Sequence, residues 1–110
     1  MEITPYPVDV KYFILFYEVV DDYLERRRDF RSEHLALAQA ATERGELRLA
    51  GAYADPVDGA ALVFRGEDET PARTFAEADP YVRNGLVESW HIREWSVVIG
   101  ADHEGPVPSG

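Results

Sequence analysis

The stretch Lys11-Tyr12-Phe13-Ile14-Leu15-Phe16-Tyr17-Glu18-Val19-Val20 decides the architecture. It is apolar at odd and even positions alike and dominated by aromatic and β-branched residues, so it reads as a strand buried on both faces. It is too short and too β-prone for a helix. Downstream, Leu35, Leu37, Ala38, Ala40 and Ala41 recur at helical spacing, and Gly45 supplies the stop. Leu47 to Tyr53 alternates as a strand, Asp55-Pro56-Val57-Asp58-Gly59 is turn chemistry, and Ala60 to Arg65 forms the second arm of a hairpin. Thr70 as N-cap and Pro71 at the first helical position open a second helix, with Ala72, Phe75 and Ala78 on one face. Pro80 disfavours helical geometry at Asp79, and a further turn to Asn84 is closed by Gly85. Val87 to Ile99 reads as the last strand. The domain is expected over residues 1–100, with 101–110 a flexible C-terminal tail.

The order is β-α-β-β-α-β. That is the ferredoxin-like α+β pattern, an antiparallel sheet with two helices on one face, set side by side by right-handed crossovers. One face of the first strand, with Phe13, Leu15 and Tyr17, can meet the helices. The other, with Tyr12, Ile14 and Phe16, would be left as an apolar patch. A second copy packed sheet to sheet with two-fold symmetry would cover it, so a homodimer through the sheet face is expected.

Composition narrows the function classes. A chain of 110 residues supports one domain with an adequate core. It has no cysteine, which excludes disulfides, thiolate metal sites and a cysteine nucleophile. A net charge of -10 opposes nucleic-acid binding, and Ala61-Leu62-Val63-Phe64 lacks the basic, glycine-aromatic signature of RNA-reading strands. No apolar run approaches the length of a membrane span, and the N-terminus lacks a basic leader, so the expected setting is cytoplasmic without membrane association. No local ligand spacing points to a metal, and no cofactor is expected.

Two residues stand at helix–loop junctions. His34, in Arg31-Ser32-Glu33-His34-Leu35, falls in the opening turn of the first helix, where the positive end of the macrodipole favours a neutral imidazole. Asp79, in Ala78-Asp79-Pro80-Tyr81-Val82, sits where the second helix must break. A neutral imidazole can accept a proton, and a carboxylate beside it would orient the ring and stabilise the resulting cation. The topology permits the two to meet without requiring it. Asp-Pro at a helix restart is equally N-cap chemistry, the carboxyl accepting a backbone N–H. Arg26, Arg27, Arg28 and Arg31 crowd ahead of His34. They form either a solvated face paired with Asp21, Asp22, Glu25 and Asp29, or a set from which Arg31 turns inward to bind an anionic group. His91 in the last strand is a second polar group for a pocket or a hydrogen-bonded strand histidine; His103 falls in the tail. Trp90 and Trp95, an odd number of residues apart, point to opposite faces of a regular strand.

The aromatic strand Tyr12-Phe13-Ile14-Leu15, the segment Arg31 to Leu35, Gly51 after the second strand, Ala78-Asp79-Pro80-Tyr81 and Gly85 before the last strand together resemble the YCII-related (YciI-like) domains over residues 10–99. The resemblance implies a dimeric α/β barrel of ferredoxin-like protomers, with His34 and Asp79 at the positions proposed as the active site and Arg31 where an arginine often precedes the histidine. Some members resemble enzymes of aromatic catabolism, including dehalogenation of chlorinated hydroxyquinols. Related barrels host lactone isomerases and monooxygenases. The expectation is a small cofactor-independent enzyme acting on a small cyclic or aromatic molecule, as an isomerase, lyase or dehalogenase. His34 would be the general acid/base, Asp79 its orienter and Arg31 the holder of an anionic or enolate oxygen. The alternative is a non-catalytic small-molecule-binding or interaction module on the same scaffold.

Overall fold

A computed structural model describes residues 10–102. The elements run β1 (Lys11–Val19), α1 (Tyr23–Arg26) continuing into a 3-10 turn (Arg27–Asp29), α2 (Arg31–Glu43), β2 (Leu47–Ala52), β3 (Gly59–Gly66), α3 (Thr70–Ala78), α4 (Pro80–Arg83) and β4 (Val87–Trp95). The four strands pair antiparallel in the order β2-β3-β1-β4, the ferredoxin-like arrangement expected from the sequence. The aromatic stretch is thus a central strand, flanked by β3 and β4.

Register sorts the side chains by face. Leu15 stands between Leu62 and Ile92, and Tyr17 between Ala60 and Trp90. These residues face the helices and form one core with Ala41 of α2, Ala72, Phe75 and Ala76 of α3, and Tyr81 of α4. Full burial of a residue such as Leu15 or Phe64 contributes roughly 1.5–3 kcal/mol. Ile14 and Phe16 occupy the opposite face, where no helix of the described residues lies over them, and are only partly buried within one chain. Leu49 and Trp95 on that face are 73% and 50% exposed.

The ends of elements differ in places from the sequence reading. The charged segment before α2 folds as a short α turn and a 3-10 turn. Thr70 is the first residue of α3 rather than its cap, and the Asp68 carboxylate accepts from the Thr70 N–H at 2.8 Å in its stead. Gly51 lies inside β2, not after it. β4 stops at Trp95, four residues before the expected end, as the Val97 N–H turns back to the Trp95 carbonyl. The chain then reaches the far side of the sheet. The Tyr12 hydroxyl donates to the Asp102 carbonyl at 2.6 Å, and Arg48 of β2 donates to its carboxylate at 2.8 Å. Asp102, read as part of the tail, is therefore anchored to the sheet. His103 and the remainder of the tail, with residues 1–9, lie outside the described residues.

Candidate active site

Proline chemistry builds the centre of the site. Pro80 holds Asp79 extended (φ -66°, ψ 123°), so α3 ends there and α4 restarts with Asp79 as its N-cap. The carboxylate turns back and its Oδ1 accepts from the Tyr81 N–H at 3.0 Å. The capping role read from the sequence is therefore real, and it fixes the carboxylate's direction. His34 occupies the fourth position of α2, its own N–H bonded to the Phe30 carbonyl. Its Nδ1 lies 2.9 Å from Asp79 Oδ1. The two sequence-predicted residues meet.

Asp79 is fully buried, and burial of an unpaired carboxylate is prohibitive. Three donors resolve this: the Tyr81 N–H, the His34 Nδ1–H and the Tyr17 hydroxyl, which donates to Oδ2 at 2.7 Å. Acceptance by the carboxylate assigns the proton of a neutral His34 to Nδ1. Burial, with the adjacent Asp79 charge and hydrogen bond, pushes the Tyr17 phenol far above its ordinary range, so it stays a donor. The imidazole also stacks on the Tyr81 ring, with centroids 3.9 Å apart and planes 8° from parallel, and meets the Phe75 ring edge-on at 6.1 Å. A ring held on one side by a carboxylate and across its face by an aromatic has little freedom to rotate.

His34 Nε2 has no hydrogen-bond partner among the described residues. The side chain borders a cavity of about 210 Å³, whose wall also includes Tyr17, Tyr81, Arg27 and Arg31. The Ala50-Gly51-Ala52 stretch of edge strand β2 contributes small residues to the same wall. An imidazole so placed can take a proton at Nε2 while Asp79 stabilises the cation, and can return it elsewhere on a bound molecule. Arg31 borders the cavity and has no ion-pair partner among the described residues. Arg26, by contrast, pairs with Asp22, as the solvated-face reading requires.

Tyr17, Tyr81 and Arg27 were not singled out by sequence reasoning as site residues. Tyr17 shares the helix-facing parity of Leu15, and Tyr81 follows the Asp-Pro pair directly, so both signals were present. His91 does not join the site. It lies on the opposite sheet face, stacked on Phe16 at 4.9 Å, and takes no side-chain hydrogen bond among the described residues. Trp90 packs against the core beneath the Arg73 guanidinium, while Trp95 pairs with Tyr12 on the other face. Among the described residues no group of three His, Asp or Glu side chains could hold a metal ion, and no helix is long and apolar enough to cross a membrane.

Comparison with known proteins agrees with the architecture. The YciI proteins of Escherichia coli O6:H1 and Shigella flexneri are each 30% identical over 96 residues, covering 79% of this chain and 98% of theirs. Among solved structures, 5-chloro-2-hydroxyhydroquinone dehydrochlorinase from Burkholderia phenoliruptrix AC1100, in complex with 2,5-dihydroxybenzoquinone, superposes with a TM-score of 0.65 at 20% identity. That match covers 77% of this chain and 93% of the other. A Bacteroides thetaiotaomicron protein described as an antibiotic biosynthesis monooxygenase gives a TM-score of 0.55 at 11% identity, covering 87% of this chain and 96% of the other. Both share the ferredoxin-like α+β fold. The model of the YCII-related domain matches residues 10–96, and the chain belongs to that family.

Proposed function

We propose that this protein is a cofactor-independent acid/base enzyme acting on a small cyclic or aromatic molecule, with His34 as the proton carrier. The observation that carries this reading is the buried Asp79–His34 bond of 2.9 Å, made by a histidine that lines a cavity and whose Nε2 has no partner among the described residues. A cavity of about 210 Å³ is the size of one substituted ring, since roughly 150 Å³ already admits benzene. The dehydrochlorinase that shares the fold acts on a ring of that size.

In the proposed step, a C–H beside a ring carbonyl gives its proton to Nε2, and the bonding pair moves onto the carbonyl oxygen as an enolate. Arg31, on the same cavity wall, contributes positive charge that favours the enolate. The imidazolium then returns the proton to a different carbon, which is isomerisation. Alternatively, the enolate re-forms its carbonyl and expels a β-leaving group with its electron pair, which is elimination. Asp79 stays charged throughout and holds the ring orientation, with Tyr17 fixing the carboxylate in turn. Proton transfer by a positioned base contributes about 10²–10⁴-fold.

The second copy enters as part of the same proposal. The helix-free face carries Ile14, Phe16, Val63, Leu49 and Trp95, a patch that a two-fold partner would bury sheet to sheet. Turnover of hydroxyquinols, lactones and enol acids by the native protein, compared with His34→Gln, tests the enzyme reading. Activity lost in the variant with its fold intact supports it. Saturable binding of these compounds to the native protein, unaffected by His34→Gln and without any turnover, makes the chain a binding module and ends the enzyme reading.

A further inference from the structure

Three groups of the cavity wall have unmet chemistry. Tyr81 is 1% exposed, and its hydroxyl finds no hydrogen-bond partner among the described residues. Buried hydroxyls are nearly always satisfied, so this one calls for an explanation. Arg27 and Arg31 border the same cavity, and neither forms an ion pair among the described residues. Arg27 only lies over the Tyr23 ring, 5.4 Å from its centroid. In a chain with 21 acidic and 11 basic residues, two unpaired arginines at one cavity are unexpected. Among the described residues no carboxylate lines that cavity, so they give it a positive wall in an acidic protein.

The three residues line one cavity. Both guanidinium charges act on the Tyr81 phenol, pulling its titration down against the upward push of burial and of Tyr23. Guanidinium groups only donate, so they leave the phenol's proton without an acceptor. A negatively charged oxygen pair between them would accept from all three. A planar carboxylate matches the guanidinium fork in two parallel bonds, which a spherical ion does not.

We propose that Arg27, Arg31 and the Tyr81 hydroxyl form a carboxylate-binding subsite, so that the ligand of this protein is a single-ring or enol acid rather than a neutral quinol. The inference rests on the cavity beside His34 being the ligand site, as proposed above. The subsite places the acid group at the Arg27–Arg31 side and leaves the ring against His34 and the small residues of β2.

Titration with benzoate, benzamide and hydroquinone, followed by the His34 ring signals in NMR spectra, tests it. Benzoate is expected to bind at least about tenfold more tightly than benzamide, as a charge-assisted bidentate contact requires. Arg27→Gln should lose about tenfold in benzoate affinity, and Arg27→Lys should restore only part of it. Tyr81→Phe removes a hydroxyl with no partner among the described residues, so the free protein should be no less stable while benzoate affinity falls several-fold. Equal binding of benzoate and benzamide, or unchanged benzoate affinity in Arg27→Gln, overturns the subsite. Hydroquinone perturbing His34 while benzoate does not overturns the subsite alone and leaves the acid/base reading standing. If no ring compound perturbs His34, the cavity is not the ligand site and both readings fall together.

Discussion

Replacing Asp79 with asparagine keeps the shape of the side chain and removes its charge. Oδ1 must go on accepting from the Tyr81 N–H, which has no other partner among the described residues, so the amide oxygen takes that position and keeps His34 Nδ1–H as well. The amide nitrogen then faces Tyr17, whose hydroxyl has to turn and accept, and its buried proton is stranded. Hydrogen bonds to a charged group contribute about 1.5–3 kcal/mol and neutral ones about 0.5–1.5, so about 1 kcal/mol goes at each of the three contacts. The stranded phenol proton adds about 1–3 kcal/mol. Relief of the carboxylate's own desolvation offsets part of this, for a net loss of about 2–4 kcal/mol. That is a large share of a domain stability of about 5–15 kcal/mol. Urea unfolding at fixed protein concentration, followed by the fluorescence of Trp90 and Trp95, should show a lower midpoint with an unchanged slope. Tyr17→Phe in the same background removes the stranded hydroxyl, so the double variant should recover about 1–3 kcal/mol relative to additivity. A change within about 0.5 kcal/mol for Asp79→Asn, additive with Tyr17→Phe, would refute the idea that a buried carboxylate organises this site.

Other outcomes follow from the same structure. The Tyr17 phenol is raised above its unfolded value near 10, so its contribution to stability is complete below about pH 10 and is lost as pH climbs toward the folded value. Denaturation midpoints should therefore fall above about pH 10, and the fall should be shallower in Tyr17→Phe. Val63→Lys places a charge on the helix-free face without touching the helix-side core; sedimentation should show a dimer for the native protein and a monomer for the variant. A native protein that is monomeric at micromolar concentration removes the sheet-to-sheet assembly. Asp102→Ala breaks a partly exposed contact with Arg48 and leaves the Tyr12 bond to the backbone carbonyl, so it should cost no more than about 1 kcal/mol in thermal unfolding.

The period-two and helical patterns carried the fold because each element has one strong signal. The β1 aromatics placed a central strand, and Gly45 and Gly85, both at φ +80°, ended elements where their backbone demands glycine. Boundaries failed where local preference lost to tertiary contact. Val97, Val98 and Ile99 look like strand, yet β4 stops at Trp95, and the chain beyond it reaches Tyr12 and Arg48 at Asp102. The site was half readable for a similar reason. His34 and Asp79 sit at junctions whose residue chemistry is visible in the chain itself. Tyr17 looks like any core aromatic until register sets it beside Ala60 and leaves its hydroxyl room to reach Asp79. Tyr81 and Arg27 become site residues only through the cavity they share, and a cavity has no signature along the chain.

The central claim is that Asp79 holds His34 with its proton on Nδ1 and leaves Nε2 open to accept one. Nitrogen-15 NMR of histidine-labelled protein, recorded on the neutral rings, reads the tautomer of each directly. The account predicts that neutral His34 is the Nδ1–H form, with a bare Nε2. In Asp79→Ala that preference should collapse toward the mixture of an unrestrained imidazole. A native His34 protonated on Nε2, or a tautomer indifferent to the loss of Asp79, would contradict it.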